Sequence, residues 1–317
     1  MPVLPEHKTS TIKPFERGDI FLGCTYLNNP EDDHAGEGRI LQFDKHWRPK
    51  GTLYTKGTKY LIVGCRFAPD GTLWAFDSQN FLVVRVSPEG KQLENWQPGR
   101  GFGSVNFCDD GSMLFGEYFI GREIWKGTTC QTLEDGRLGD GDVYRYNQNL
   151  EQLNHYPAEN APEFTNFKGV THSSLHPSGD FITYTTETGR RLMRIDARTG
   201  EQMEDLANFA DADPYDREDK RWFIAPDYLS DGRLLCTTAN GLEIFDEEGQ
   251  VLQTIPLPGY GWAQVCSDMD ERFALAANVW TGAAARIDLH EEQPLEMIDT
   301  GFTAPFRSLA GIAVYRS

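Results

Sequence analysis

The sequence predicts an all-β protein, a single six-bladed β-propeller with four-stranded blades. Three observations predict it. A strand–turn grammar recurs at a spacing of about 40–50 residues, Gly- and Asp-bearing turns punctuate it, and the two ends of the chain complete one another.

The elements follow in order. After an N-terminal extension (residues 1–17), DIFLGCTY, GRILQFD and GTLYT match the second, third and fourth strands of a blade that lacks its first. Phe67–Trp96 then gives the clearest repeat. An inner strand ends at the turn Pro69-Asp70-Gly71, LWAFD and LVVRVS follow, and a second turn at Pro88-Glu89-Gly90 leads into QLENW. Such β-rich runs between tight turns are antiparallel hairpins. Blade three carries DDGSMLFGEYF and, after an insertion, GDVYRYNQNLEQLNHY. Blade four reads HPSGDFITYTTETGRRLMRIDARTGEQMEDL, blade five SDGRLLCTTANGLEIFDEEGQVLQTIPL, and blade six DERFALAANVWTGAAARIDLHEEQPLEMI. The chain closes with SLAGIAVY, the inner strand that the first blade lacks. Pairing it with the three N-terminal strands removes open sheet edges and sets the count at six, with residues 1–317 as one domain.

Composition narrows the function classes. The 317 residues carry a formal net charge of −18, spread along the chain, which repels nucleic acid and anionic membranes. No apolar run approaches the ~18 residues of a membrane span. The N-terminus shows no apolar core of a signal peptide, and the six cysteines form no CxxC pair and fall mostly in strand-like runs. Together these predict reduced, structural thiols in a cytoplasmic protein.

One face is expected to work. The a–b and c–d turns of each blade are short. The long segments are the b–c insertions Leu27–Gly38 and Phe119–Asp140 and the d–a insertions Pro157–Lys168 and Asn208–Trp222, all on the opposite face. Aligning the inner strands on their turns puts Arg66, Asn106, Ser174 and Asp227 in one polar column. Phe67, Phe107, Leu175 and Tyr228 form the adjacent apolar column, and Gly64, Ser104, His172 and Ala225 lie two residues earlier. Each d–a connection delivers an aromatic to the mouth: Tyr60, Phe102, Phe167, Trp222 with Phe223, Tyr260 with Trp262, and Phe306. Beside five of the six stands Lys59, Arg100, Lys168, Arg221 or Arg307. Bases recurring at one level of so acidic a chain suggest a positive focus for an anionic substrate, bound by Arg66, Arg307, Tyr118, Phe102, Trp222 and Trp262. Glu117 ends the second strand of blade three just before the longest insertion, as a candidate general base. Asp77, at the same offset in blade two, reads as a strand cap.

The repeat resembles the NHL and SMP-30/gluconolactonase-like six-bladed propellers, most closely at PDGTLWAFD and VVRVSPEG. That resemblance implies a divalent cation in the bore held by one Glu, two Asn and one Asp. Asn106 and Asp227 fall at matching places, blade four offers His172 or Ser174 instead of Asn, and FRSLAGIAVY supplies no Glu. The candidate metal set is therefore Asn106, Asp227 and His172. It would take Ca²⁺, or a transition metal if His172 takes part. No organic cofactor motif is present. The expected function is lactonase-like hydrolysis of a small anionic substrate, with Glu117, Asp227 or His172 activating water. The alternative is a non-catalytic propeller that docks a protein segment or a metabolite on its aromatic rim.

Overall fold

The computed structural model describes residues 9–29, 32, 34–124, 128–160, 168–187, 189–209, 222–291, 295–302 and 307–317. Six antiparallel sheets form a six-bladed β-propeller. In the first sheet the C-terminal strand Arg307–Val314 is innermost and is followed outward by Ile20–Leu27, Gly36–Phe43 and Pro49–Tyr54. Phe102–Phe107, His172–Leu175, Phe223–Tyr228 and Trp262–Ser267 are the inner strands of blades three to six, each leading a four-stranded sheet.

Blade two differs at its rim. Gly64–Phe67, Leu73–Asp77 and Leu82–Val86 form a three-stranded sheet, and QLENW adds only isolated bridges, Val86 to Gln92 and Val83 to Trp96. The reason lies in its side chains. Gln92 accepts from the Lys56 amide at 2.8 Å, and both Gln92 and Asn95 donate to the Lys56 carbonyl. The segment is thus tied sideways to the connection from blade one.

The cores lie between blades. Trp74, Trp96, Phe102, Phe115 and Tyr146 interlock at centroid distances of 5.0–6.2 Å between blades two and three. The apolar column of the inner strands takes part in these joints: Phe67, Phe107, Leu175 and Tyr228 each pack against such a core. Ser174 belongs to a joint as well, because its hydroxyl accepts the Tyr228 amide at 3.0 Å. The N-terminal strap crosses the turn face of blades one and two. The Thr11 amide donates to Thr52 and the Phe15 amide to Pro88, and the Phe15 ring packs on Phe21, Phe67 and Tyr315. All six cysteines are free. Among the described residues no helix is long and apolar enough to cross a membrane.

Candidate functional site

Inner strands run from the loop face to the turn face, so residues at their starts stand near the loop-face mouth of the bore. A narrow cavity of about 10 Å³, the room of a single water, is lined there by Arg66, Ser104, His172, Ser173, Ala225 and Gln264, among others.

The deeper level holds the polar column. The Arg66 guanidinium reaches across to Asp227 at 3.1 Å and extends a second nitrogen to the Ser173 carbonyl at 3.4 Å. Asp227 also accepts the Ser267 amide, and Ser267 in turn accepts from Arg316. Asn106 donates to the Ser173 hydroxyl at 2.8 Å, which also meets Ser104 at 2.9 Å. Blade four therefore contributes Ser173 to the bore, whereas the turn-based alignment had chosen Ser174. Gln264 joins blades across the ring seam by accepting the Cys65 and Ile312 amides, both at 2.8 Å.

The upper level holds His172, 3 % exposed. Among the described residues nothing hydrogen-bonds its imidazole, and burial pushes its pKa down to about 4, so the ring is neutral around pH 7. Beside it stand Tyr118, Lys168 and Glu187. The Tyr118 ring centre lies 6.2 Å from that of His172, and its hydroxyl is 2.9 Å from both Glu187 oxygens. Lys168 donates to the Tyr118 hydroxyl at 2.8 Å, sits over its ring and is ion-paired to Glu187. Burial by itself would raise the Glu187 carboxyl, but Lys168, His172 and the Tyr118 hydroxyl outweigh it and hold the group below the ordinary value. Glu187 occupies a left-handed backbone position, φ 64°, in the b–c turn of blade four. Sequence reading singled out Tyr118 and Lys168 but missed Glu187. A Glu in the run TTETGRR looks like any turn acid, and its partner Lys168 comes from another segment of the chain.

Several expected site residues lie elsewhere. Phe102 and Trp262 are about 1 % exposed and packed in inter-blade cores, so neither ring can meet a ligand. Strand alternation alone would put both rings on the bore side, two residues from Ser104 and from Gln264, but a register shift follows each of them (Phe102/Ser104 and Trp262/Val265) and turns the rings into the joints. Glu117 is fully buried and holds the long insertion. Its carboxylate accepts the Asp140 and Gly141 amides at 2.7 and 3.0 Å and pairs with Arg100 at 2.9 Å. Burial raises its pKa, and Arg100 with the two amides reverses this only in part. It is an anchor with no open path to a substrate. Arg100 and Lys168 are both ion-paired, which removes two of the five bases from the expected positive focus. Phe167, Arg221, Phe306 and the Arg307 side chain lie outside the described residues. Trp222 stays near the surface and meets Tyr260 edge-on at 6.3 Å. Tyr260 is stacked on Trp280, itself 48 % exposed, with ring centres 4.7 Å apart.

The donor set does not suit the implied cation. Asp227 is the one carboxylate among Asn106, Asp227 and His172. Asp227 is paired with Arg66, so a metal there would face a guanidinium at close range. Among the described residues no three His, Cys, Asp or Glu side chains converge.

No protein-family profile matches the chain, and no curated protein matches it. Solved structures do. The chain is similar to a chain of a nidogen/laminin complex over 94 % of its own length and 98 % of that chain, at 11 % identity and a TM-score of 0.66. It is similar to a streptogramin B lyase over 93 % and 99 %, at 12 % identity and a TM-score of 0.52. A catalytically inactive histidine-to-alanine variant of virginiamycin B lyase from Staphylococcus aureus, with quinupristin, matches over 88 % and 89 % at 13 % identity and a TM-score of 0.51. At these identities the likeness establishes the fold.

Proposed function

We propose that this propeller is a small-molecule enzyme whose chemistry runs at the loop-face end of the bore, opening or hydrolysing a compact ester or lactone. The observation that carries the reading is His172, a buried, neutral imidazole with no hydrogen-bond partner among the described residues, lining a polar cavity beside the Tyr118–Lys168–Glu187 cluster. The cavity seats one water, from which His172 takes a proton as the water oxygen bonds to the carbonyl carbon of a substrate presented at the cavity's loop-face mouth. The charge that develops on the carbonyl oxygen is stabilised by the Arg66 guanidinium, which lines the same cavity. The carbon–oxygen bond to the leaving alkoxide then breaks, and the imidazolium returns its proton to that oxygen. The ion pairs around Arg66 and Lys168 are balanced, so a polar uncharged reacting group suits the cavity. An anionic substituent would have to lie nearer the rim. Lyases of the same fold, one inactivated by loss of a histidine, lend support.

The test is a panel of lactones and esters assayed with the wild-type protein and with His172→Ala and Tyr118→Phe. Turnover lost by at least about a hundredfold in His172→Ala, with unchanged melting behaviour, supports the reading. Turnover unaffected by that substitution overturns it.

A second reading, a propeller that captures a protein segment, is favoured by the exposed Trp280 on its Tyr260 support and by the likeness to the nidogen/laminin chain. It predicts that Trp280→Ala abolishes partner capture while every substrate in the panel stays unconverted.

A further inference from the structure

The longest insertion does not simply project from blade three; it folds back over the loop-face end of blade two. The Gln131 amide donates to the Gln79 carbonyl at 2.8 Å, and the Gln79 side chain returns a bond to the Thr129 carbonyl at 2.7 Å. Gln131 also reaches Asn80 at 3.2 Å, and the Thr129 hydroxyl meets the Tyr60 hydroxyl at 2.7 Å. Beneath this contact lies Asp77, with no exposed surface. One of its oxygens accepts the Lys59 and Tyr60 amides at 2.7 and 3.2 Å, holding the connection that carries Tyr60. The other, Oδ1, is buried with no hydrogen-bond partner among the described residues.

A buried carboxylate oxygen without a donor is unfavourable when charged and tolerable when it carries a proton. The Lys59, Tyr60 and Asn80 backbone amides and the Lys59 charge favour the ionised form, but burial outweighs them. The side chains of the 3₁₀ turn Ser78–Asn80 are uncharged, and residues 128–133 above bring the Cys130 thiol, held protonated by burial. Blade two's next strand, starting at Leu82, contributes apolar side chains.

We propose that Asp77 is a proton-responsive anchor: neutral, it lets residues 128–133 of the insertion seat on blade two, and ionised, it loosens that seat. The direction of its titration agrees, because burial raises the carboxyl to about 7. An opened segment would expose Asp77 to water and return it toward the ordinary carboxylate value, so opening takes up charge and becomes easier as pH rises from about 4 to about 7. The proposal is independent of the catalytic reading, since none of its residues touches His172 in the contacts described above.

Amide hydrogen exchange, corrected for the intrinsic rate, reads the seat directly at Gln131 and Tyr60. In the wild-type protein exchange at these amides should rise by roughly tenfold or more between pH 5.5 and pH 8. Asp77→Asn should remain protected at both pH values. Equal protection of the wild type at the two pH values overturns the proposal, as does the same pH response in Asp77→Asn. Should Asp77→Asn not fold, the carboxyl carbon resonance of Asp77 in the wild-type protein decides. A midpoint near 7 supports the anchor, and one below about 5 overturns it.

Discussion

Arg66 and Asp227 stand 161 positions apart in the chain and meet at 3.1 Å across the bore, linking blade two to blade five. This pair sets a guanidinium on the one carboxylate of the candidate cation set. Asp227 is nearly buried and Arg66 is about one-third exposed. Asp227→Ala should therefore lower stability by about 1–3 kcal/mol, less than for a fully buried pair because water partly screens the arginine. Chemical denaturation of the single variants and of the double Arg66→Ala/Asp227→Ala checks this. The double variant should be less destabilised than the sum of the singles.

The same geometry makes a prediction about metal. With the Arg66 guanidinium paired to Asp227, a Ca²⁺ seeking that carboxylate would meet a fixed cation. Melting temperature should stay within about 1 °C on addition of millimolar Ca²⁺ or of a chelator, as for a ligand with no affinity for the folded state. A saturable rise of several degrees would reinstate the cation that the propeller resemblance implied.

How much of this was legible in the sequence can be judged residue by residue. The ring was legible because its period and its turns are local: Pro69-Asp70-Gly71 and Pro88-Glu89-Gly90 announce hairpins before any long-range contact is known. The inner-strand columns were legible for the same reason, which is why His172, Ser104, Arg66 and Asp227 were all marked. What stayed hidden depended on orientation or on distant partners. Phe102 and Trp262 share the parity of the bore residues Ser104 and Gln264, and the register shifts that turn them into the cores leave no mark in the residue pattern. Glu117 carries the right chemistry for a base, yet the amides of Asp140 and Gly141 take one of its oxygens and Arg100 the other, and the two amides arrive only when the insertion folds back.

His172 supplies a pH prediction with a definite sign. Its folded-state pKa lies near 4, below the ordinary 6.5, so between those values the unfolded chain binds a proton that the native state does not. Its contribution to stability is complete above about pH 6.5 and is lost as pH falls toward 4. If it is the catalytic base, the acid limb of the rate profile should fall near pH 4, and NMR titration of the imidazole should report the same midpoint. An imidazole midpoint near 6.5 would place the ring in water and remove it from the buried cavity.

Glu117 and Asp140 share Arg100, which also lies over the Tyr144 ring with its guanidinium carbon 4.4 Å from the ring centre. Replacing Glu117 by Gln keeps the volume but turns an acceptor pair into half a donor, facing two backbone amides and a guanidinium. Removing one partner of a buried charged network leaves the others uncompensated, so Glu117→Gln should cost about 3 kcal/mol. The damage should centre on the insertion, because the Asp140 and Gly141 amides belong to its returning end. Hydrogen exchange should therefore increase at those two amides in Glu117→Gln, while the cores of blades five and six keep their protection. A catalytic Glu117 would give the opposite pattern, with turnover abolished and the insertion's protection intact. Measuring both on one protein sample separates the anchor from the base.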